Sequence, residues 1–401
     1  MDFRLTEDQL QLQDATRRLA REEFLPHAAR WDREDDAYPA EAVAKLAELG
    51  YMGMSVPEEY GGLGYDAVSY IVVIEELSYV SAALAILVAV HNTVGAWPIA
   101  RFGTEEQKRT LLPRLAAGEL GAFSLSEPDA GSDVASLTAT ARRDGDSYVL
   151  NGAKNWVTNG DHAAILNVFA KTDPKGNAHG ITGFVVEAGT PGLAVGKHED
   201  KMGLRSSDTV SLSLTDLRVP ASRRLGEEGM GMKIALAALD AGRIGVAAQA
   251  VGVAQAALDQ AVAHARVRRA FGKLLSDHGA IQTMLAEMER RVVSARLLMY
   301  RAAWLRDQGR SFTKEAAQAK LFATEAATFV THRAIQVHGG YGYVKEYPVE
   351  RLYRDARVFE IYEGTSEIQR LVIAREILRQ AEAGATPARE PAVPADTDGR
   401  L

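Results

Sequence analysis

The chain has 401 residues, of which 47% are hydrophobic and 25% charged, and its formal net charge is -7 at pH 7. This length and balance predict a folded protein of two or three packed units, and they exclude a disordered chain and a coiled rod. The acidic balance argues against a protein that binds nucleic acid by neutralising phosphates. The absence of cysteine excludes disulfides, zinc-thiolate and iron-sulfur centres and a cysteine nucleophile.

Several common functional motifs are missing. The nine histidines show no metal-binding spacing, so no metal site is expected, and neither a phosphate-binding P-loop nor a G-x-S-x-G nucleophile elbow occurs. The acidic first residues predict neither a signal peptide nor a transit peptide, so the expected location is cytoplasmic. The apolar stretch 79–90 is too short to cross a bilayer core. It predicts a buried helix, and no membrane span is expected.

Helical signals dominate the first 120 residues. Thr6 with Gln9, and Thr104 with Gln107, have the spacing of capping boxes, and apolar residues follow them at helical intervals. These patterns predict an all-α domain over 1–120.

The pattern changes to short strands after residue 120. Asp144-Gly145 predicts a hairpin, and strands are expected at 164–170, 181–186 and 209–214. We therefore predict a middle antiparallel β-domain over 121–230.

Long alanine-rich helical runs follow at 234–265, 280–306 and 314–337. They predict a C-terminal four-helix bundle over 231–382. The last residues, 383–401, contain prolines and little apolar sequence, and they are expected to form a disordered tail. The predicted fold class is α+β, mostly α.

Two turns in the β-region have the chemistry to hold a ring system or a phosphate. The first belongs to the segment 122–133, which joins a strand to a turn that contains glycine and is rich in hydroxyl groups. The second contains Trp156, which can pack against an aromatic cofactor while Thr158 hydrogen-bonds its polar edge. Taken alone, two hairpin turns around a core tryptophan would explain the same pattern.

Two segments of the helical C-terminal part have related features. Arg268 and Arg269 lie beside a predicted helix break, where guanidinium groups can meet a pyrophosphate. The segment 336–343 ends a long helix in glycines, which let backbone amides approach a ligand closely. An ordinary helix terminus is the alternative explanation for each.

The segment 355–369 contains the candidate catalytic base. Ser366 and Gln369 have capping-box spacing, so a helix is predicted to begin just after Thr365. Glu363 lies immediately before that helix, where partial desolvation would raise its pKa towards the working range of a general base. Glu360 is the competing carboxylate, and it is expected on a solvated helical face.

Taken together, these motifs resemble the acyl-CoA dehydrogenase family from about residue 5 to 380, as do 56–62 and 201–209. The resemblance implies FAD-dependent α,β-dehydrogenation of an acyl-CoA thioester. Glu363 would remove the α-proton, flavin N5 would accept hydride, and the Glu363 amide would bind the thioester carbonyl together with a flavin ribityl hydroxyl. The motif blocks are most similar to short-chain, butyryl-type members, and medium-chain and short branched substrates stay open. A dicarboxylyl substrate is disfavoured because 82–90 contains no Arg or Lys.

The resemblance also implies site residues by motif position. FAD contacts from one subunit would be Leu125, Ser126, Ser132, Trp156 and Thr158. FAD contacts from a neighbouring subunit would be Arg268, Phe271, Gln336, Gly339 and Gly340, and further flavin contacts would be Thr365, Ser366 and Glu367. Substrate contacts would be Ser132, Asp240, Arg243, Tyr362 and Gly364. Gly242 stands where some relatives place the base, and Gly279 stands where family members commonly have a glutamine that touches FAD.

The implied partners are an acyl-CoA substrate, an electron-transferring flavoprotein as electron acceptor and further copies of the chain in a homotetramer, a dimer of dimers. Two alternatives remain open. One is a flavin monooxygenase or nitroalkane oxidase on the same fold, and the other is a non-catalytic helical scaffold.

Overall fold

The structure is a computed structural model that describes residues 4–34 and 38–382. The predicted disordered tail lies outside the described residues. Residues 4–34 and 38–116 contain only helices and turns, and α1 and α7 begin with the two predicted capping boxes. The helices are α1 (Glu7–Leu19), α2 (Leu25–Arg33), α3 (Ala40–Glu48), α4 (Ala67–Val80), α5 (Ala82–Val90), α6 (Trp97–Phe102) and α7 (Glu105–Ala116).

The predicted buried helix at 79–90 is largely α5, all of whose residues are buried. A π-helical turn, His91–Ala96, joins α5 to α6, so the helical run is longer than the sequence predicted. By length and composition alone, Ala82–Phe102 and Gly231–Val267 are long and apolar enough to cross a membrane. Their most apolar windows are 94% and 78% buried inside the protein, as in core helices of a folded domain.

The middle region is an eight-stranded sheet. Its strands are β1 (Leu120–Ser124), β2 (Thr140–Asp144), β3 (Ser147–Thr158), β4 (Ala163–Lys171), β5 (Ile181–Glu187), β6 (Leu193–His198), β7 (Thr209–Pro220) and β8 (Arg224–Leu225). The order is β6-β7-β3-β2-β4-β5-β8, with β1 beside β4. Most neighbours are antiparallel, including the predicted β2–β3 hairpin, but β1 and β2 each pair with β4 in parallel.

Four helices form the C-terminal bundle: α8 (Gly231–Val267), α9 (Gly279–Asp307), α10 (Thr313–His338) and α12 (Ser366–Glu382). A short hairpin of β9 (Arg269–Ala270) and β10 (Lys273–Leu274) follows α8, and α11 (Val349–Ala356) follows α10. The predicted fold class is confirmed.

Polar contacts tie the sheet to the helices on both sides. The Asn159 side-chain amide donates to the carbonyl of Leu87 in α5 at 3.1 Å, and the Leu204 amide donates to Asp355 in α11 at 2.7 Å. These contacts hold the loops that contain Asn159 and Leu204 against α5 and α11.

Candidate active site

The candidate base lies in a tight turn before α12, which we call the base turn (Tyr362–Thr365). Glu363 has φ 51° and Gly364 has φ 94°, so two successive residues adopt left-handed backbone conformations. A non-glycine residue rarely adopts this conformation unless its surroundings impose it. Side chains from α10 and α12 supply the restraint. The Lys320 ammonium donates to the Gly364 carbonyl at 2.8 Å, and the Gln369 amide donates to the same oxygen at 2.9 Å.

The Glu363 carboxylate is poised to accept a proton. Its Oε2 atom is buried and has no hydrogen-bond partner among the described residues. Burial raises the pKa of Glu363 to about 7, although the positive charges of Lys320 and Arg243 oppose the rise. A carboxylate with a pKa near neutrality is suited to general-base catalysis, because it is ionised at working pH and still basic enough to take a proton.

Gly242 in α8 makes room for this carboxylate. A Cβ atom at position 242 would lie 2.0 Å from Glu363 Oε2, which is far inside van der Waals contact. The position where some relatives place the base is therefore filled here by the carboxylate of Glu363 itself.

Asp240 and Arg243, two predicted substrate contacts, pair with each other one turn apart on α8. Arg243 donates to Asp240 Oδ1 at 2.6 Å, and Thr313 donates to the other carboxylate oxygen at 2.7 Å. Arg243 is buried, and its Nε has no partner among the described residues. This pair therefore brings a partly compensated positive charge towards the base turn.

Large polar side chains occupy the interior beside the base turn. The Tyr362 hydroxyl donates to Gln249 Oε1, and the Gln249 amide donates to the Ala82 carbonyl at 2.7 Å. The Tyr70 hydroxyl is buried, and it would lie 2.6 Å from a Cβ at position 245, where α8 has glycine. Tyr362, Gln249 and Tyr70 therefore fill the interior beside the base turn.

The start of α12 agrees with the prediction, but its cap does not. The helix begins at Ser366, and its first amides are capped by Thr365, whose hydroxyl accepts from Ile368 at 3.3 Å. The predicted capping box of Ser366 and Gln369 is wrong. The Gln369 backbone amide donates to the Thr365 carbonyl at 2.9 Å, and its side chain turns back to the carbonyls of the base turn, so the buried Ser366 hydroxyl has no partner among the described residues. Glu367 is exposed.

Glu360 does not compete well for the role of base. It ends a 3-10 helix, Arg357–Glu360, where it accepts a hydrogen bond from Thr328 on α10 and lies 3.6 Å from Arg357. Its carboxylate is half-buried rather than fully solvated as predicted. Because it already has a donor and a cation, it is less free to take a substrate proton than Glu363.

The predicted flavin contacts of the sheet lie on two adjoining segments, and we call them the sheet contacts (Leu125, Ser126, Ser132, Trp156 and Thr158). The Asn155 amide donates to the Ser126 carbonyl at 3.0 Å, which joins the segments. Below them, the Lys154 ammonium donates to the Leu125 carbonyl at 3.1 Å and to Glu127 at 2.8 Å. Lys154 and Glu127 are both buried, so an ion pair inside the sheet domain positions the backbone of the sheet contacts.

Trp156 departs from the simple core interpretation. Its side chain is 61% exposed, and its backbone is left-handed with φ 62°. An exposed tryptophan held in an unfavourable backbone conformation indicates a surface shaped for a ligand. Ser132 is exposed, Thr158 is half-buried and Leu125 is buried.

The FAD contacts predicted to come from a neighbouring subunit lie together at one end of the bundle, and we call them the bundle-end contacts (Arg268, Phe271, Gln336, Gly339 and Gly340). The Arg268 guanidinium lies 5.4 Å from the ring centroid of Tyr341, so the β9–β10 hairpin borders the turn that follows α10. Phe271 is 98% exposed at the tip of this hairpin. A Cβ at Gly339 or Gly340 would meet nothing within 4 Å, so packing inside the chain does not require these glycines.

These features fit FAD. The sheet contacts offer an exposed aromatic wall beside backbone groups, and the bundle-end contacts offer a guanidinium, an exposed aromatic ring and an open glycine turn. Such groups suit an isoalloxazine ring and a pyrophosphate-linked adenosine.

Sequence reasoning missed three residues that the structure places around the base: Tyr70, Gln249 and Lys320. Lys320 left a readable signal, because it occupies the apolar face of α10 together with Ala316, Ala323 and Ala327. A lysine at that spacing predicts a buried ammonium.

Comparisons with known proteins agree with this geometry. Family-specific sequence profiles match the acyl-CoA dehydrogenase N-terminal domain at residues 6–119, the middle domain at 122–217 and the C-terminal domain at 229–378. The mitochondrial short-chain specific acyl-CoA dehydrogenase of Bos taurus is 50% identical over 376 residues, or 94% of this chain and 91% of the bovine protein.

Solved structures extend the comparison to the fold. Butyryl-CoA dehydrogenase from Megasphaera elsdenii matches with a TM-score of 0.93 and 44% identity, over 94% of this chain and 100% of that one. An acyl-CoA dehydrogenase from Bacillus anthracis complexed with FAD matches with a TM-score of 0.90 and 34% identity, over 96% of this chain and 69% of that one. The chain is therefore an oxidoreductase of the three-domain flavoprotein class. It belongs to the acyl-CoA dehydrogenase family.

Proposed function

We propose that this protein is an FAD-dependent acyl-CoA dehydrogenase that converts a short-chain acyl-CoA to the trans-2-enoyl-CoA, with Glu363 as the base. The observation that carries the proposal is the buried Oε2 atom of Glu363, which has no partner among the described residues, on a carboxyl group whose pKa is raised to about 7, within a chain of this family. The two alternatives, an oxygen-using flavoenzyme and a non-catalytic scaffold, are not favoured by the relatives of the chain.

In the reaction, the residues of this chain bind, orient and deprotonate the thioester. Glu363 accepts the α-proton at its free oxygen, and its backbone amide binds the thioester carbonyl, where negative charge develops. Bound FAD supplies the acceptor for the β-hydride. Lys320 and Arg243 provide positive charge on the far side of the carboxylate, and the packed helices around the base turn exclude water.

The preference for short chains rests on the interior wall beside the base turn. Tyr362, Gln249 and Tyr70 fill the space that a longer acyl chain would need. Removing the Gln249 side chain should deepen this pocket. We expect Gln249→Ala to shift the preference from butyryl-CoA towards hexanoyl-CoA and octanoyl-CoA in a steady-state panel. An unchanged chain-length profile would count against this wall as the length limit.

Other parts of the assignment remain proposals. We propose the domain boundaries 1–120, 121–230 and 231–382, a cytoplasmic location, and the cofactor and substrate contacts named above. We also propose a homotetramer and an electron-transferring flavoprotein as electron acceptor. Exposed apolar side chains at the bundle end, including Phe271, Val267 and Tyr343, support burial against a neighbouring subunit. Sedimentation analysis tests the tetramer.

The function is tested by mixing the purified holoenzyme with butyryl-CoA without oxygen. Loss of the visible flavin absorbance and formation of crotonyl-CoA are expected. Glu363→Gln should bind FAD normally and lose roughly 10²- to 10⁴-fold in rate, the range typical of a general base. Glu360→Gln is the matched control, because it neutralises a carboxylate only three residues away and should stay close to wild type. Full activity of Glu363→Gln would refute the mechanism.

A further inference from the structure

A fully buried lysine, Lys320, lies beside the base and has no role so far in the proposed reaction beyond its charge. Lys320 lies in the third turn of α10 and has a relative exposure of 0%. Its hydrogen-bond acceptor is a neutral backbone oxygen, that of Gly364, at 2.8 Å. Lysine is among the residues least often fully buried, because its ammonium loses hydration that a single carbonyl only partly replaces. We therefore expect Lys320 to have a function that compensates for the free energy lost when its ammonium is buried.

The contact lies directly behind the base turn. Glu363 and Gly364 both have positive φ, and Lys320 together with Gln369 donates to the carbonyl that follows them. Two donors from two helices thus hold one oxygen in place. Since a misplacement of about 1 Å can reduce catalysis by about 100-fold, this clamp bears directly on where the Glu363 carboxylate lies.

We propose that Lys320 is a positioning residue with two effects on the base, namely that it clamps the turn carrying Glu363 and supplies positive charge that favours the ionised carboxylate. The proposal rests on the proposed function, because it concerns how the base of that reaction is prepared.

The charged and titratable groups around Glu363 support this assignment. Lys320 faces it from α10, Arg243 from α8 and Tyr70 from α4, and Tyr362 adjoins it in the chain. Arg243 shares its charge with Asp240 at 2.6 Å, whereas Lys320 binds an uncharged carbonyl. Glu360 and Glu367 also act on Lys320 from the adjoining segments.

The pKa values of Lys320 and Glu363 are compatible with a positively charged lysine beside an ionised base. Burial lowers the pKa of Lys320 to about 8, while the pKa of Glu363 is raised to about 7. Lys320 is therefore still mostly a cation at the pH at which Glu363 is half ionised. Removing this cation should make the carboxylate harder to ionise, so its pKa should rise further.

The test isolates proton abstraction from oxidation. Acetyl-CoA has α-hydrogens but no β-carbon, so it cannot give up hydride. In D₂O, the α C–H bond breaks, the proton passes to Glu363 and exchanges with solvent, and a deuteron returns to the carbon without any redox change. Mass spectrometry of acetyl-CoA incubated with the holoenzyme measures this exchange against pH. Loss of exchange in Glu363→Gln verifies the base, so a failure of the proposed function is recognised separately.

Two neutral variants separate the two effects. Lys320→Gln removes the charge but keeps an N–H donor, and Lys320→Met removes both. Both should move the acid side of the exchange profile up by about one pH unit, which is about tenfold slower exchange there. Lys320→Met should also lower the maximum rate by about tenfold, because the clamp is lost. Lys320→Arg keeps the charge and should leave the profile close to wild type.

The control variant changes another lysine of α10. Lys314 lies on α10 and donates to Gln380 at 2.8 Å, so Lys314→Gln removes a lysine charge that does not face the base. It should leave the profile unchanged. Thermal unfolding and FAD content are measured for every variant, and if Lys320→Met does not fold, Lys320→Gln against Lys320→Arg carries the comparison. If Lys320→Gln has the wild-type pH profile, the proposal is wrong.

Discussion

The base turn and the bundle-end contacts are built in opposite ways. The base turn is restrained from behind by side chains of α10 and α12, and its carboxylate oxygen is buried. The bundle-end contacts are open, with Phe271 almost fully exposed and two glycines whose missing side chains would touch nothing. One region is complete within a single chain, and the other has the features of a surface that a cofactor or a second subunit completes.

The difference separates two requirements of the proposed reaction. A general base needs a fixed position and a shifted pKa, and a folded interior provides both. Cofactor binding needs accessible aromatic and cationic groups, which a folded chain leaves at its surface. The sheet contacts have both properties, because Trp156 is exposed while the neighbouring ion pair of Lys154 and Glu127 is buried.

The largest effect is expected when the buried support of the sheet contacts is broken. Glu127 accepts hydrogen bonds from Lys154 and from the amides of Thr138 and Ala139. Glu127→Gln leaves the Lys154 charge unpaired, and it should lower the free energy of unfolding by about 3–5 kcal/mol. Urea unfolding measures the change.

The exposed pair of Asp144 with Arg218 is the matched control. Asp144→Asn should lower the free energy of unfolding far less than Glu127→Gln does, because solvent screens this pair. If both variants lost the same free energy of unfolding, the buried ion pair would contribute no more to stability than the exposed one, and the prediction would be wrong.

Gly242→Ala tests the space that the base needs. The new Cβ would lie 2.0 Å from Glu363 Oε2, the mobile end of a side chain, so the carboxylate should move while the fold survives. We expect kcat/KM with butyryl-CoA to fall by about 100-fold, with the melting temperature close to wild type. Gly279→Ala, at an open position, should retain full activity. Wild-type activity in Gly242→Ala would mean that the carboxylate works from another position.

Trp156→Ala tests the exposed side of the comparison. The ring is 61% exposed, so its removal should barely change the stability of the protein without cofactor. The dissociation constant for FAD should rise by about tenfold, because stacking on a flat ring is worth about 1–3 kcal/mol. Fluorescence titration with FAD measures the change. Trp304→Ala, which removes another half-exposed tryptophan, should leave FAD affinity unaltered.

The smallest effect is expected at Gly279, the first residue of α9. A side chain there has free space, so Gly279→Gln should fold normally. The new glutamine should improve FAD retention during dialysis by about two- to fivefold, equivalent to one weak hydrogen bond. Unchanged retention would remove Gly279 as a cause of altered cofactor binding.

Sequence reasoning performed best where the signal is local. Capping boxes at Thr6 and Thr104 and the alanine-rich periodicity of the bundle predicted helices that the structure contains. The same reasoning gave the wrong cap for α12, because Gln369 satisfies carbonyls of the base turn instead of the helix start. Two spatial partners competed for one side chain, and spacing alone does not show which one wins.

By itself the sequence determined the family, the fold class and the identity of the candidate base, because each depends on ordered motifs and on periodicity along the chain. Only the tertiary structure decided what surrounds that base. Lys320 lies on α10, more than 40 residues before Tyr362 in the chain, and Gly242 and Gln249 lie still earlier, on α8. Their contacts with the base turn therefore depend on how α8 and α10 pack. The pKa of a carboxylate is set by burial and by nearby charge, and both are properties of the packed molecule.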